Sequence, residues 1–207
     1  MAVNASADTY SFELDTSNTA ISGYTEPYAS VEVNRTDPTH AKITFNSLTN
    51  SGNIYLLGDG GSVAVNVNAT SWTIGDLAGS NSGTGFTPGP YSDGGAGNED
   101  GFGSFNQTVN SFDGFTHSSD SIEFVLTNTS GTWADAASVL TFNSKNHLAA
   151  AHIFVTSDPA DAENGAIVTG FASGSTIPSV PEPTTMLLLG SGLIGLAGYG
   201  RKILFKK

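Results

Sequence analysis

"SVEVNRTDPTHAKITFNS", residues 30–47, holds two short apolar alternations separated by a polar hinge. Val31/Val33 and Ile43/Phe45 each alternate with polar neighbours, so their apolar side chains fall on one face of an extended chain, the period-two pattern of a strand buried on one side. Between them, Asn34-Arg35-Thr36-Asp37-Pro38-Thr39 is turn chemistry: proline presets its own φ, and Asn and Asp bond their own backbone. The stretch predicts two antiparallel strands joined by a turn.

Working outward, the same alternation recurs at Tyr10/Phe12/Leu14, Val63/Val65/Val67 and Ile122/Phe124/Leu126. Gly58-Asp59-Gly60-Gly61 reads as a second turn between paired strands. Twenty-five glycines, with many short strands, predict a mainly β body over 8–174, an antiparallel two-sheet sandwich of jelly-roll or immunoglobulin-like kind. One short helix is expected near 133–140. There Thr132-x-x-Asp135 resembles a capping box and Ala134, Ala136 and Ala137 follow, leading back to a strand at 149–156.

Charge is distributed unevenly. The net charge is −12, but residues up to 180 hold 18 acidic against three basic side chains, and the remainder holds Arg201, Lys202, Lys206 and Lys207 against Glu182. An acidic body repels nucleic acid, whereas the basic end suits an anionic lipid surface. Without cysteine there is no disulfide, thiol nucleophile or thiolate-bound metal. Ala5-Ser6-Ala7 matches a signal-peptidase site but lacks the basic and apolar regions before it. Residues 1–7 read as the remnant of a removed leader, with a chance match as the alternative.

The last stretch, "VPEPTTMLLLGSGLIGLAGYGRKILFKK" (180–207), differs from all before it. Thr184 to Gly200 carries no charge over 17 residues, about 25 Å as a helix, the short end of a membrane span. A buried core helix is the alternative, and the four cations beyond the run argue against it. By the positive-inside rule the Lys207 end is cytoplasmic and the body lies outside the cytoplasm. Gly190, Gly192, Gly195 and Gly198 leave one helix face nearly bare, which suits close approach of another helix or is simply ordinary for such segments. Gly190 to Gly195 also fits G-x-G-x-x-G, but the chain ends before a βαβ unit could form. In Val180-Pro181-Glu182-Pro183, each proline holds the residue before it extended, giving a stiff linker (175–183) that displays one carboxylate.

Pro181-Glu182-Pro183, a short glycine-rich apolar span and a basic tail together resemble the PEP-CTERM sorting signal of exported proteins in Gram-negative bacteria. The resemblance implies an inner-membrane-anchored precursor with its body in the periplasm. An exosortase, an integral-membrane cysteine transpeptidase-like enzyme, would process it for the cell surface or an exopolysaccharide matrix. Such tails also carry an "ice-binding protein C-terminal" label, which assigns no ice chemistry. Ile203-Leu204-Phe205 interrupts the basic cluster of 201–207 where many family members carry denser arginine. Residues 100–155 further resemble a domain that recurs among PEP-CTERM proteins and has no assigned role.

The body offers little catalytic machinery. It has no G-x-S-x-G and no H-E-x-x-H, and His40, His117, His147 and His152 fall in no ligand spacing, so no enzymatic activity is expected. His152, in an apolar run, reads as a semi-buried, hydrogen-bonded histidine. Glu13 and Glu123 alternate with core residues and should point outward. Asp93, Asn98 and Asp100 put oxygen donors on a glycine-rich loop, which suits Ca²⁺, although Ala96 stands where an EF-hand-like loop needs its first Asp; a solvated turn is the plainer reading and no cofactor is expected. Asn34, Asn68, Asn106 and Asn128 each open an Asn-x-Ser/Thr tripeptide, a pattern that composition or sugar attachment accounts for. Three functions follow: a non-enzymatic surface or matrix protein; a carbohydrate-binding module stacking sugars on Trp72 and Trp133, with Tyr91 and Phe86 in reserve; and, last, a secreted hydrolase.

Overall fold

The computed structural model describes residues 7–175. Thirteen strands follow one another in this span: β1 (Asp8–Leu14), β2 (Thr16–Ser17), β3 (Ala29–Arg35), β4 (His40–Ser47), β5 (Thr49–Asn50), β6 (Asn53–Leu57), β7 (Asp59–Val65), β8 (Trp72–Ser80), β9 (Ser92–Glu99), β10 (Gly103–Ser111), β11 (Ser121–Asn128), β12 (Ala149–Ser157) and β13 (Val168–Gly174). They form two antiparallel sheets. One runs β1-β3-β4-β11-β8; the other runs β2-β13-β12-β7-β10-β9, with β6 also on β12 and β5 on β6.

The opening stretch folds as its pattern predicts. β3 and β4 pair with Val31 opposite Phe45 and Val33 opposite Ile43. Because the side-chain period is two, that register extends across neighbouring strands, giving a row Phe12–Val31–Phe45–Ile122 and a second row Tyr10–Val33–Ile43–Phe124. Val31, Val33, Ile43, Phe45, Ile122 and Leu126 are fully buried and Phe124 nearly so. Each such side chain contributes roughly 1.5–3 kcal/mol by leaving water. Val63, Val65, Val109, Ala149, Ala151, Ile153 and Val155 supply the facing wall of the same core.

The second sheet carries apolar clusters apart from this core. Ala64, Phe102, Phe105 and Ala150 form one with Phe171, and Leu56, Phe154 and Ala160 form another with Phe86 and Phe115.

Two expectations are corrected. The helix near 133–140 is only a 3-10 turn over Ala136–Ser138. Its cap is Asp135, not Thr132: Asp135 Oδ1 accepts from Ser138 N and Ser138 Oγ accepts from Asp135 N. The turn cannot lengthen into a helix because Val139 and Leu140 are drawn into the core, where Val139 O accepts from Asn68 N and Leu140 bridges Val67.

Gly58-Asp59-Gly60-Gly61 does not reverse the chain between paired strands. β6 and β7 both run antiparallel to β12, Leu57 opposite Ile153 and Val63 opposite Ala151, so residues 58–62 form an excursion opposite the single residue His152. Positive φ at Asp59 and Gly61 makes the excursion possible.

One end of the sandwich is laced by a run of hydrogen bonds. Asp8 Oδ2 accepts from Ala136 N, Ser138 O accepts from Asn68 Nδ2, and Leu148 O accepts from Asn66 N. Leu148 N in turn donates to Gly174 O.

Candidate functional site

At that end, the segments after β7 and after β11 lie side by side. Ser71 N donates to Ser130 Oγ at 3.0 Å, and Ser71 Oγ meets Thr129 Oγ1 at 2.8 Å. Thr129 N donates to Ser71 O, and Asn128 N to Thr39 O. Between residues 67–70 and 128–132, with Thr141, lies an open groove of about 440 Å³. Its lining is uncharged. Asn68, Thr70, Ser130, Thr132 and Thr141 are exposed, and Asn128 is buried beneath them at 6% exposure.

The sequence placed ligand contacts elsewhere, on aromatic rings. Trp133 is only 3% exposed and donates from Nε1 to Asn68 O at 2.8 Å; its ring belongs to the core and offers no face to a sugar. Trp72 is half-buried, with Nε1 on Gln107 Oε1 at 2.9 Å. Tyr91 holds Ser119 Oγ at 2.6 Å, and Phe86 packs edge-on to Phe115 at 5.2 Å. None of the four stands exposed. An indole N–H needs a partner when buried, which is why both tryptophans are fixed by hydrogen bonds.

The supposed calcium loop is a strand for most of its length. Ser92–Glu99 pairs with β10, which sets Asp93 opposite Val109 and Asn98 opposite Ser104. Five residues of extended chain separate Asp93 from Asn98 by roughly 16 Å, so their oxygens cannot converge. Asp93 Oδ1 instead accepts from Gly95 N and Gln107 Nε2, and Asp100 Oδ2 accepts from Asn18 Nδ2. Among the described residues no group of three or more His, Asp and Glu side chains is arranged to hold a metal ion.

Glu99, an oxygen donor of the same glycine-rich run with no separate role in the sequence reading, is the perturbed acid of this region. It is 2% exposed, its carboxyl packs against Gly61 where a Cβ would overlap it, and burial pushes it up to about 8.

The histidines are dispersed. His40 Nδ1 sits 2.8 Å from Asp37 Oδ2 in the β3–β4 turn, where backbone and side-chain hydrogen bonds hold the Asp37 carboxyl well below its usual range. His117 Nδ1 meets Gly89 O at 2.6 Å. His147 Nδ1 lies 3.0 Å from Ser173 Oγ, a serine–histidine pair the sequence did not suggest. Ser173 is fully buried, so its hydroxyl is closed to a substrate.

His152 stacks between Phe171 and Phe154, with centroids at 4.4 and 5.3 Å, and burial holds its imidazole below the usual range. As expected the ring is hydrogen-bonded, by the backbone of Gly60, although its Nδ1 is buried without a partner. Glu13 and Glu123 do face outward, and Glu123 pairs with Lys42 at 2.6 Å. Three strand spacings of about 4.8 Å separate the two, about 14 Å in all, beyond the reach of a glycosidase pair.

Of the four Asn-x-Ser/Thr asparagines, Asn106 has both amide atoms on the backbone of Val67, at 2.7 and 2.9 Å. Asn128 is buried, Asn34 half-buried and Asn68 exposed.

The body ends at Gly174, and the decisive feature comes just after it. Residues 179–202 match the PEP-CTERM protein-sorting motif. The chain carries a PEP-CTERM sorting signal. That motif marks an exported protein processed by an exosortase-type enzyme, and the matched span contains Val180, Pro181, Glu182 and Pro183 together with Arg201 and Lys202. Lys206 and Lys207 follow it. No curated protein and no solved structure matches the chain. The leader remnant at 1–7 falls outside the described residues except for Ala7. The linker, the span at 184–200 and the basic tail also lie outside them from residue 176 onward. Among the described residues no helix is long and apolar enough to cross a membrane.

Proposed function

We propose that the PEP-CTERM tail anchors a precursor through residues 184–200, with the body outside the cytoplasm. An exosortase cuts near Pro181-Glu182-Pro183, and the body serves as a non-enzymatic component of the cell surface or extracellular matrix. The match at 179–202 supports the reading, because the matched span holds a proline clamp, an apolar run and basic residues. The clamp is held extended by its prolines and needs little ordering in an enzyme cleft. The stop-transfer role falls to Arg201, Lys202, Lys206 and Lys207 on the cytoplasmic side.

The non-enzymatic part draws support from where the perturbed groups sit. Glu99, His147 and His152 pack against Gly61, Phe102 and two phenyl rings, respectively, and none of them lines the polar groove.

Expression in an exosortase-bearing host, followed by intact mass of the cell-free protein, tests the proposal. The expected product lacks everything beyond the proline clamp. Recovery of a chain still ending in Lys207 overturns it.

A further inference from the structure

We infer that the groove between residues 67–70 and 128–132 is a binding site for an uncharged saccharide. Its lining is made of amides and hydroxyls and carries no charge, in a chain whose net charge is −12. An anionic ligand would meet no cation there and the field of an acidic body around it, and a cation would meet no carboxylate. A peptide laid along a sheet edge needs an unpaired strand, whereas this groove is built from connecting segments and the last residue of β11, Asn128, which is already paired with Trp72. Sugar hydroxyls, each both donor and acceptor, fit a lining of the same kind. The volume of about 440 Å³ lies within the ~300–1,000 Å³ usual for small-molecule sites.

Asn128 is the second, independent pointer. The residue is 94% buried by its 6% exposure, and its Oδ1 accepts from Ser130 N at 3.1 Å and Ser130 Oγ at 3.4 Å. Its Nδ2 has no acceptor among the described residues, although the residue lines the groove. That N–H₂ is not sealed in, since His152 Nδ1 alone among the described residues is a buried side-chain polar atom without a partner; the amide is reachable from the groove and free to donate to a ligand oxygen. Thr70, Thr132 and Thr141 add exposed hydroxyls that make no hydrogen bond within the described residues.

The walls are already fixed. Trp133 Nε1 holds Asn68 O, Asn68 Nδ2 holds Ser138 O, and the serine and threonine lacing joins one rim to the other. A preformed wall spares a ligand the entropy of ordering it. The sugar is thus held by hydrogen bonds on uncharged side chains, not by the indole stacking expected from the sequence.

The inference extends the matrix reading, yet export and cleavage do not depend on it. Affinity electrophoresis of the full-length chain in a sugar-free detergent tests it, in native gels cast with dextran, mixed-linkage β-glucan or galactomannan, and with alginate as the anionic control. At least one neutral polysaccharide should retard the chain and alginate should not. The paired substitutions Thr70→Val and Thr132→Val keep side-chain shape and remove two hydroxyls, and should weaken retardation about tenfold or more. Their unchanged melting temperature would show that the fold is intact. Passage unretarded through every neutral gel overturns the inference, as does equal retardation of the paired variant or stronger retardation by alginate. A chain correctly trimmed at its tail but blind to all three neutral polymers would sink this site and leave the processing intact; the reverse pattern would do the opposite.

Discussion

Arg35 donates from Nε to Asp8 Oδ1 at 2.7 Å, joining the first residue of β1 to the last of β3. The Arg35 side chain is 8% exposed, and the second oxygen of Asp8 accepts from Ala136 N at 2.7 Å. One carboxylate therefore serves an edge strand, a nearly buried guanidinium and the 3-10 turn. Asp8→Ala should lower unfolding stability by about 2–3 kcal/mol, since it takes the facing charge from a desolvated cation and the acceptor from a backbone amide. Asp8→Asn keeps an acceptor and should lose roughly half as much. Urea midpoints of the two variants check the order, and equal losses would contradict it.

Glu99 makes stability depend on pH. Its carboxyl is raised from 4.5 to about 8 in the fold, so between these values the folded chain keeps a proton that the unfolded chain has released. The stabilising contribution is complete below 4.5, declines as pH rises toward 8 and levels off above it. Glu99→Gln removes that decline and should be the more stable form at pH 9, by on the order of a few kcal/mol. Denaturation curves at pH 5, 7 and 9 read the difference. Parallel trends in the two proteins would show that Glu99 is not the responsible group.

Gly97 faces Thr108 across β9 and β10. A Cβ there would stand 2.7 Å from Thr108 Cγ2, so Gly97→Ala should cost about 1–3 kcal/mol by overpacking. Thr108→Ser deletes the offending methyl and keeps the hydroxyl that donates to Gly95 O at 3.1 Å. In the double variant most of the loss should return, a coupling that a thermodynamic cycle measures. Purely additive effects would mean that the two do not collide.

The two tryptophans should separate by magnitude. Trp133→Ala empties a core position and cuts the bond to Asn68 O, for about 3–5 kcal/mol. Trp72→Phe keeps most of its ring contacts and loses the hydrogen bond to Gln107, for about 1 kcal/mol. Thermal melts of the single variants decide it, and a Trp133 variant as stable as the parent would contradict the buried placement.

The period-two stretches were legible because burial on one face leaves a direct imprint: Val31, Val33, Ile43 and Phe45 all point inward, and the turn between their strands is where Asn34 to Thr39 put it. Two glycine-rich segments misled for a common reason. Glycine reads as punctuation, but Gly94 and Gly97 lie inside β9 because Thr108 and Asn110 press against them, and Gly58 to Gly61 bulge opposite His152 instead of turning the chain. Alanines after a capping residue imitate a helix start, and only the core's demand for Val139 and Leu140 cuts it short. The sorting signal was readable since its three parts are contiguous. The groove was not, because Asn68 and Asn128 come together only once β7 and β11 have found their places in different sheets.

The strand Thr16–Ser17 takes its partners from Ser173 and Ala172, near the other end of the body. The second sheet therefore has no finished border until almost the whole domain has left the ribosome, and pairings this distant in sequence close slowly. Until β13 arrives, a nascent chain is still short of its native fold.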